Sequence, residues 1–482
     1  MIGGLFKSAS RLALVAVAGV MVGGVSAQAA DLGGDCCADL EERVAELEAT
    51  TVRKGNRKVS LTVSGHVHKS IMHWDDGIEK NTYAGVDAIN ASTRFRFTGD
   101  AKITPKWSTG YFIEMETLGD MNSSTVNQTN SGLGSAGANV VVRHSAWWME
   151  NKDYGRVWVG LTDAAGAGID GINLANTAAA ANAKVGLNGG GFMLRGNTGS
   201  AAASLPHNMS ARTWSSILHG NNGISNLSDE TRNNVIKYVS PTVMGFIVSA
   251  SWGEDDMWDV ALRYAGEFSG FKLAAGAAYT QVTDANNGNT LIAGNNHFNG
   301  CADVVAGVVG NRDRECSSFA VAGSLMHVAT GLFITGNYGE RTDSARKQLF
   351  ASTTDIDPAL VSGKDTNWGV RGGIEQNWTG MGKTTLFGEY NVASGTPLAA
   401  GAIQAADAGI QLAAETIVAS EVSVWGMGVV QSFDAAALDI YLAYRNFSAD
   451  VKTAPNVIGG GTNDITGIKD FQLITLGAIM RF

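Results

Sequence analysis

The sequence predicts an all-β fold, a 16-stranded antiparallel transmembrane β-barrel, and three observations lead to this prediction. Apolar and polar residues alternate along many segments from residue 57 onward, a pattern typical of strands with one apolar face. Short and long connections alternate strictly between these segments. After residue 30, no apolar stretch is long enough to cross a bilayer as a helix, which needs about 20 residues.

The N-terminus has the features of a segment that is removed on export. Lys7 and Arg11 precede an apolar run over residues 12–25, and small residues follow, ending in Ala-Gln-Ala-Ala at residues 27–30. A basic start, a short apolar run and an Ala-x-Ala cleavage site indicate a secretory signal peptide. We therefore expect residues 1–30 to be cleaved; the alternative is an uncleaved anchor.

Composition and charge narrow the class of protein. The chain has 61 Gly and 6 Pro, and its formal net charge is −10. Loss of Lys7 and Arg11 with the signal peptide lowers this charge by two, to about −12. Such acidity argues against a nucleic-acid partner, which requires a basic footprint. A long exported chain without apolar helices is either soluble or a membrane barrel.

The four cysteines fit an oxidising compartment. Cys301 and Cys316 flank a polar stretch and are candidates for a disulfide that closes it. Cys36 and Cys37 are adjacent, so they are poorly placed to bridge each other and could pair between chains or stay free. No His or Cys spacing indicates a metal site, and we expect no cofactor.

Residues 31–56 are predicted to form a periplasmic segment with a short coiled-coil-like helix. Over residues 39–52, Leu40, Val44, Leu47 and Thr51 recur at steps of four, three and four. About two heptads are too short to be stable alone. The helix could form a bundle at an oligomer axis or contact the cell wall; alternatively, it lies as a single amphipathic helix on the mouth of the barrel.

From Val59 the period changes to two, and the connections then define the topology of residues 57–482. Short links are predicted near Pro105 and at 152–154, 240–244, 266–269, 329–331, 378–382 and 434–436. Between them lie polar links at about 74–90, 118–139, 163–232, 253–256, 282–317, 340–365, 395–420 and 448–467. All but one of these are long. Seven short and eight mostly long links join sixteen strands, with short periplasmic turns and long outer loops.

A barrel this wide cannot fill its interior with side chains and leaves an aqueous channel. Several charged residues alternate with apolar ones and would be hard to bury in a soluble core. We expect them to face the lumen: Arg94, Arg96, Glu114, Glu116, Arg143, Arg156, Arg263 and Arg445.

Several segments resemble the general porins of alphaproteobacteria. They are Val59–His68, Tyr154–Leu161, Tyr238–Asp256, Trp258–Phe271 and the terminal Leu476–Phe482. The resemblance implies an outer-membrane homotrimer, surrounded by lipid and lipopolysaccharide, that allows passive diffusion of ions and small hydrophilic solutes. It also implies that Phe482 belongs to the signal by which the barrel-assembly machinery recognises the last strand.

In such porins the third outer loop folds into the barrel and narrows the pore. Here the third long link, 163–232, is also the longest, and its start resembles the entry to that loop. Asp163 and Asp170 would then place carboxylates in the lumen, opposite a wall that carries Arg94, Arg96, Arg143 and Arg156. Alternatively, the loop covers the outer mouth and the arginines pair with neighbouring lumen acids.

Other functions fit the sequence less well. An enzyme would need converging catalytic groups, and no Gly-x-Ser-x-Gly elbow is present. A substrate-selective channel for sugars or anions would show lumen aromatics on adjacent strands, whereas Phe112, Trp158 and Tyr441 are far apart in the chain. Trp147 and Trp148 fit an interfacial girdle better. A structural tether would have a plugged pore.

Overall fold

The computed structural model describes residues 58–119, 121–129, 139–196, 212–218, 232–253, 257–283, 315–344, 346–347, 357–396, 415–455, 462–465 and 468–482. The predicted signal peptide, the 39–52 helix and Cys36, Cys37 and Cys301 lie outside these residues. No helix among the described residues is long and apolar enough to cross a membrane.

The described residues form one closed antiparallel sheet. It contains 18 strand segments, and two pairs of these segments each form one interrupted strand, which gives sixteen barrel strands. In chain order, β1 to β16 are Thr62–Asp75, Lys80–Asp87 with Arg94–Lys102, Trp107–Leu118, Asn139–Asn151, Gly155–Thr162, Asn233–Val239, Phe246–Gly253, Met257–Phe268, Phe271–Thr283, Glu315–His327, Leu332–Asp343, Lys364–Gln376, Thr384–Gly395, Glu415–Phe433, Leu438–Pro455, and Asn463–Ile465 with Phe471–Arg481.

Within the described residues, helical structure is confined to short segments, including residues 346–347. Trp214–Ile217 is a four-residue α-helix, and 3-10 turns span Ile89–Ala91, Val185–Leu187, Pro358–Leu360 and Asp434–Ala436. The turn at Ile89–Ala91 interrupts β2, whose two halves both pair with β1. An almost all-β fold is therefore confirmed.

The barrel closes between its first and last strands. His66 to Asp75 of β1 pair with Gln472 to Arg481 of β16. Beyond this ladder, the backbone N–H of Gly65 donates to the carbonyl of Phe482 at 2.9 Å, and the N–H of Phe482 donates back at 3.1 Å. Closure leaves no open sheet edge, as a membrane-spanning sheet requires. The predicted sixteen-stranded barrel is confirmed.

The links alternate between the two ends of the barrel as predicted. We call the end with links such as 152–154 and 269–270 the short-turn end and the other the long-loop end. The prediction of a long first loop over 74–90 is wrong, because strand continues to Asp75 and resumes at Lys80. Its polar residues, such as His73 and Thr82, lie on the outer face of the strand ends, whereas Trp74 and Tyr83 face the apolar core inside the barrel.

A tight turn replaces that predicted loop. Asp76 Oδ1 accepts the backbone N–H groups of Ile78 at 3.0 Å and Glu79 at 2.7 Å, while Gly77 has φ 79°. This side-chain cap together with a left-handed glycine forms a compact turn. Asp76 thereby becomes a rigid point at the long-loop end.

The outer face carries a row of aromatic residues near the long-loop end, one on each strand from β7 to β15. Its members are Trp252, Trp258, Tyr279, Phe319, Tyr338, Trp368, Tyr390, Trp425 and Tyr444. Neighbouring members are either direct register partners, as in Tyr390 with Trp425, or offset by two residues, as in Trp368 with Tyr390. Such a row is typical of the membrane interface.

The row stops on either side of the remaining face. At the same height, the residues that follow Tyr444 from strand to strand are Ile474 of β16, His73 of β1 and Thr82 of β2, and none of them is Phe, Tyr or Trp. Beyond Trp252 they begin with Ile236. The face from β16 through β1 to β6 therefore differs from the rest of the outer surface.

Candidate functional site: the inner loop and the arginine wall

The segment 163–232, called here the inner loop, lies inside the barrel in its described parts, 163–196 and 212–218. Ile169 and Ile172 pack on small residues of β8, β9 and β10. The alanines at 175–181 pack on β10, β11 and β13 to β16. Phe192 and Trp214 complete a core with β1, β2 and β13 to β16. The loop therefore follows most of the inner wall, and the molecule's main apolar core lies inside the barrel.

Charged wall residues hold the start of the inner loop through its backbone. Arg263 Nη2 donates to the carbonyls of Ala165 at 2.7 Å and Ala167 at 2.8 Å. The N–H of Gly166 donates to Asp259 Oδ2 at 2.6 Å. These groups satisfy backbone atoms that would otherwise be buried without partners.

The middle of the loop is held in the same way. The N–H of Leu174 donates to Ser324 Oγ at 3.1 Å, and the N–H of Asn176 donates to Glu375 Oε2 at 2.7 Å. Arg371 Nη1 donates to Thr177 Oγ1 at 3.2 Å. These contacts join the loop to β10 and β12.

The far part of the loop is fixed by two arginines. Arg445 of β15 donates to the carbonyl of Val185 at 3.3 Å and to Glu389 Oε1 at 2.7 Å. Arg195 of the loop donates through Nε to Asp76 Oδ2 at 2.7 Å. Burial alone would raise the pKa of Asp76, but hydrogen bonds from the Glu79 N–H and from Arg195 outweigh it, so this pKa lies below its ordinary value. Arg263 and Arg445, predicted to face water, instead bind the loop.

The stretch 164–194 of the inner loop brings little charge into the lumen. Between residues 164 and 194 the only charged side chains are Asp170 and Lys184, and the remainder are mostly Ala, Gly and Asn. Asp170 is buried, with 4% of its surface exposed. The loop therefore presents a largely neutral, small-residue face.

Arginines from two strands, β2 and β4, converge on one buried carboxylate of β3. Glu114 accepts Arg94 Nη1 at 3.3 Å and Arg143 Nε at 2.9 Å, and it also accepts Nε of Arg96. Arg143 contacts Glu116 as well. We call these five residues the arginine wall. It brings together three of the four arginines predicted from the sequence.

A β-bulge brings Arg143 and the next residue to the same face. The β3–β4 register shifts after Glu114, which pairs with His144, while Met115 pairs with Val142. Arg143 and His144 are both buried inside as a result. An extra residue in one strand disrupts the regular alternation, so the alternation pattern alone does not reveal this arrangement.

The other predicted site residues lie elsewhere. Asp163 is 3.5 Å from Arg232 Nε and 3.9 Å from His144 Nε2, so it lies beside the arginine wall rather than across the lumen. Arg156 of β5 pairs with Glu150 at 2.6 Å, nearer the short-turn end. The sequence did not lead us to Arg232, which pairs with Asp163. The available signal was that Arg232 lies at the end of the inner loop, next to β6.

The remaining predicted features are a disulfide and a terminal signal. Cys316 is fully buried and disulfide-bonded, and its predicted partner Cys301 lies outside the described residues. Phe482 is 66% exposed at the short-turn end. Within the described ranges, no group of His, Cys, Asp and Glu could hold a metal ion.

The chain is similar to several solved structures. An anion-selective porin from Comamonas acidovorans is 12% identical, with 88% of this chain and 100% of that chain covered and a TM-score of 0.47. The trimer form of OmpT from Vibrio cholerae is 13% identical, with 88% and 99% covered and a TM-score of 0.46. The outer membrane channel DcaP of Acinetobacter baumannii is 11% identical, with 90% and 100% covered and a TM-score of 0.42.

A search of curated protein sequences gave no match. The sequence profile of the Gram-negative porins, in contrast, matches residues 12–397, which is more than half of the chain. The protein therefore belongs to the Gram-negative porin family.

Proposed function

We propose that this chain forms a water-filled channel for passive diffusion of ions and small hydrophilic solutes across the bacterial outer membrane. The observation that carries the proposal is a closed barrel of sixteen strands, apolar outside, with charged residues on its inner wall and a loop whose described parts fold inside. Membership in the porin family agrees with this activity and location.

The test is the conductance of the refolded protein in a planar bilayer. Large, ohmic steps, grouped in threes, are the expected result. A bilayer that stays silent at high protein concentration, while circular dichroism shows a folded barrel, would contradict the proposal and favour a tether with a plugged pore.

We also propose that the narrowest part of the pore lies between the neutral face of the inner loop and the arginine wall. Arg94, Arg96, Arg143 and Arg232 face Glu114, Glu116 and Asp163, an excess of one positive charge. Because rings of charged side chains set ion preference, a modest preference for anions is expected. Asp170 contributes little because it is buried, and Arg156 acts nearer the short-turn end. The sign of the reversal potential in a salt gradient tests this assignment.

A homotrimer is the assembly that we propose, through the face from β16 to β6 where the aromatic row is absent. Lys69, 48% exposed on β1, pairs there with the buried Asp87 on the outer face. A lysine at the lipid face of a barrel costs about 2–4 kcal/mol near the midplane, so this face fits a protein contact better than lipid.

Photo-crosslinking tests the assembly. A photoreactive residue at His73 should give crosslinked trimers in membranes, whereas the same residue at the lipid-facing Ile334 of β11 should not. Crosslinks from Ile334 alone would place the interface elsewhere.

Further proposals rest on sequence. Residues 1–30 act as the signal peptide, residues 31–56 as a periplasmic segment that contacts the cell wall, and Cys301 as the partner of Cys316. Phe482 acts in recognition by the assembly machinery, and the closer kinship is with alphaproteobacterial porins. We further propose that the channel has no catalytic activity: His66 and His68 are engaged by the carbonyl of Ala91, which leaves them in a structural role.

A further inference from the structure

Three aromatic side chains face the lumen on adjacent strands. Trp148 of β4 and Trp158 of β5 are direct register partners, with ring centroids 6.2 Å apart. Phe112 of β3 lies one step further toward the long-loop end, where it pairs with Ala146. Trp147, the neighbour of Trp148, points outward and is 50% exposed. The prediction that both tryptophans belong to the outer girdle is therefore wrong for Trp148.

A glycine lets the Trp148 ring lie against the wall. Gly110 of β3 is the register partner of Trp148, and a Cβ at this position would lie 2.5 Å from the indole ring. One face of Trp148 therefore packs on backbone. Only 9% of Trp148 is exposed, so within the aromatic patch of Phe112, Trp148 and Trp158 it supports its neighbours rather than offering a binding surface.

Two cations border the more open Trp158. The guanidinium carbon of Arg156 lies 4.1 Å from the Trp148 ring centroid and 5.4 Å from that of Trp158. Lys237 Nζ lies 5.9 Å from the Trp158 ring centroid. These are cation–π distances. Glu150, which accepts Arg156 Nη2 at 2.6 Å, helps to hold the guanidinium in place.

The patch is open to solutes. Trp158 and Lys237 are partly exposed, and 32% of the Arg156 side chain is exposed. Lys237 also donates to the carbonyl of Asp163, where the inner loop begins. Trp158, Arg156 and Lys237 therefore lie on the short-turn side of Asp163, the first residue of the inner loop.

We propose that Trp158, Arg156 and Lys237 form a binding subsite for small aromatic carboxylates such as benzoate. The ring stacks on Trp158, and the carboxylate accepts N–H groups from Arg156 and Lys237. Because Arg156 is already fixed by Trp148 and Glu150, little side-chain entropy is lost on binding. An inorganic anion would leave the aromatic surface unused, and a neutral sugar would leave the two cations without a partner.

This inference rests on the proposed channel function, so two readouts are needed. In bilayers, benzoate should block the chloride current in a saturable manner, whereas acetate, which lacks the ring, and benzamide, which lacks the charge, should block it far more weakly. Isothermal titration of the detergent-folded protein with benzoate measures binding whether or not the protein conducts.

The variants separate the ring from the charge. Trp158→Leu should weaken benzoate binding about tenfold, equivalent to about 1.4 kcal/mol for one aromatic contact, and Trp158→Phe should restore most of it. Arg156→Gln should weaken benzoate binding further. Lys272→Gln, which removes a lumen-facing positive charge on β9, is the matched control and should bind as the unmodified protein does.

The two proposals fail in different ways. Normal conductance with no heat of benzoate binding, or equal effects of Lys272→Gln and Arg156→Gln, would overturn the subsite alone. Binding without conductance would overturn the channel function and leave the subsite standing.

Discussion

The inner wall of this barrel has two regions built from the same residue types. On β8, β12 and β15, Arg263, Arg371 and Arg445 reach across to the inner loop and bind its backbone and side chains. On β2 to β4, the arginines of the arginine wall bind Glu114 and Glu116 of the neighbouring strand instead. The alternating pattern is the same in both regions. Whether the inner loop or a neighbouring carboxylate packs against an arginine decides whether that arginine is an anchor or a member of the arginine wall.

The largest expected effect comes from removing the shared carboxylate of the arginine wall. In Glu114→Gln, three arginines lose the charge that holds them together, and loss of one partner of a buried ion pair costs about 3–5 kcal/mol. We expect a lower unfolding temperature and a reversal potential shifted further toward anions. Glu267→Gln on β8, an exposed position, is the control. An unchanged reversal potential would show that the arginine wall does not line the pore.

Removing an anchor should act on the loop rather than on ion preference. In Arg263→Ala the carbonyls of Ala165 and Ala167 lose a charged donor, a loss of about 1.5–3 kcal/mol per hydrogen bond. The loop start should detach, and single-channel recordings should show larger and noisier currents. Arg263→Lys keeps the charge without the fork of donors and should be intermediate. Currents as quiet as those of the unmodified protein would argue against anchoring.

Acid should weaken the far end of the loop. The pKa of Asp76 lies below its ordinary value of 3.8, so the pair with Arg195 contributes fully above that pH, and the contribution is lost as the pH falls below it. Thermal unfolding between pH 7 and pH 3 should therefore show a loss in the unmodified protein that Asp76→Asn lacks. Parallel curves for the two proteins would contradict this assignment.

The smallest effect is expected at a neutral anchor. Ser324→Ala removes one hydrogen bond to the N–H of Leu174, about 0.5–1.5 kcal/mol. Its conductance should change less than that of Arg263→Ala. If both variants behave alike, charge is not what makes the arginine anchors strong.

Much of the fold follows from the sequence because it depends on local patterns. Alternation along β8, where Asp259 and Arg263 face the lumen, identified strands and their faces. The order of link lengths gave the number of strands and the position of the inner loop. The first loop was misjudged because the strand ends on either side of Asp76 are polar on their outer face, as at His73 and Thr82, and apolar only inside, as at Trp74 and Tyr83.

The site was harder to predict from the sequence than the fold, because it depends on partners that are distant in sequence. Arg263 binds the carbonyls of Ala165 and Ala167, which lie far from it in sequence, and no pattern within β8 indicates this contact. The bulge beside Glu114 places Arg143 and His144 on one face, against the regular alternation. Trp148 and Trp158 become neighbours only through strand register.

The backbone exchange between Gly65 and Phe482 constrains the order in which the molecule can be built. Until β16 arrives, β1 presents its unpaired N–H and carbonyl groups along one side, and such an edge invites pairing with a foreign strand. The barrel closes when its first and last strands pair, and contacts between segments so far apart in sequence form slowly. The N-terminal strand must therefore be shielded from other chains while residues 76–470 are put in place.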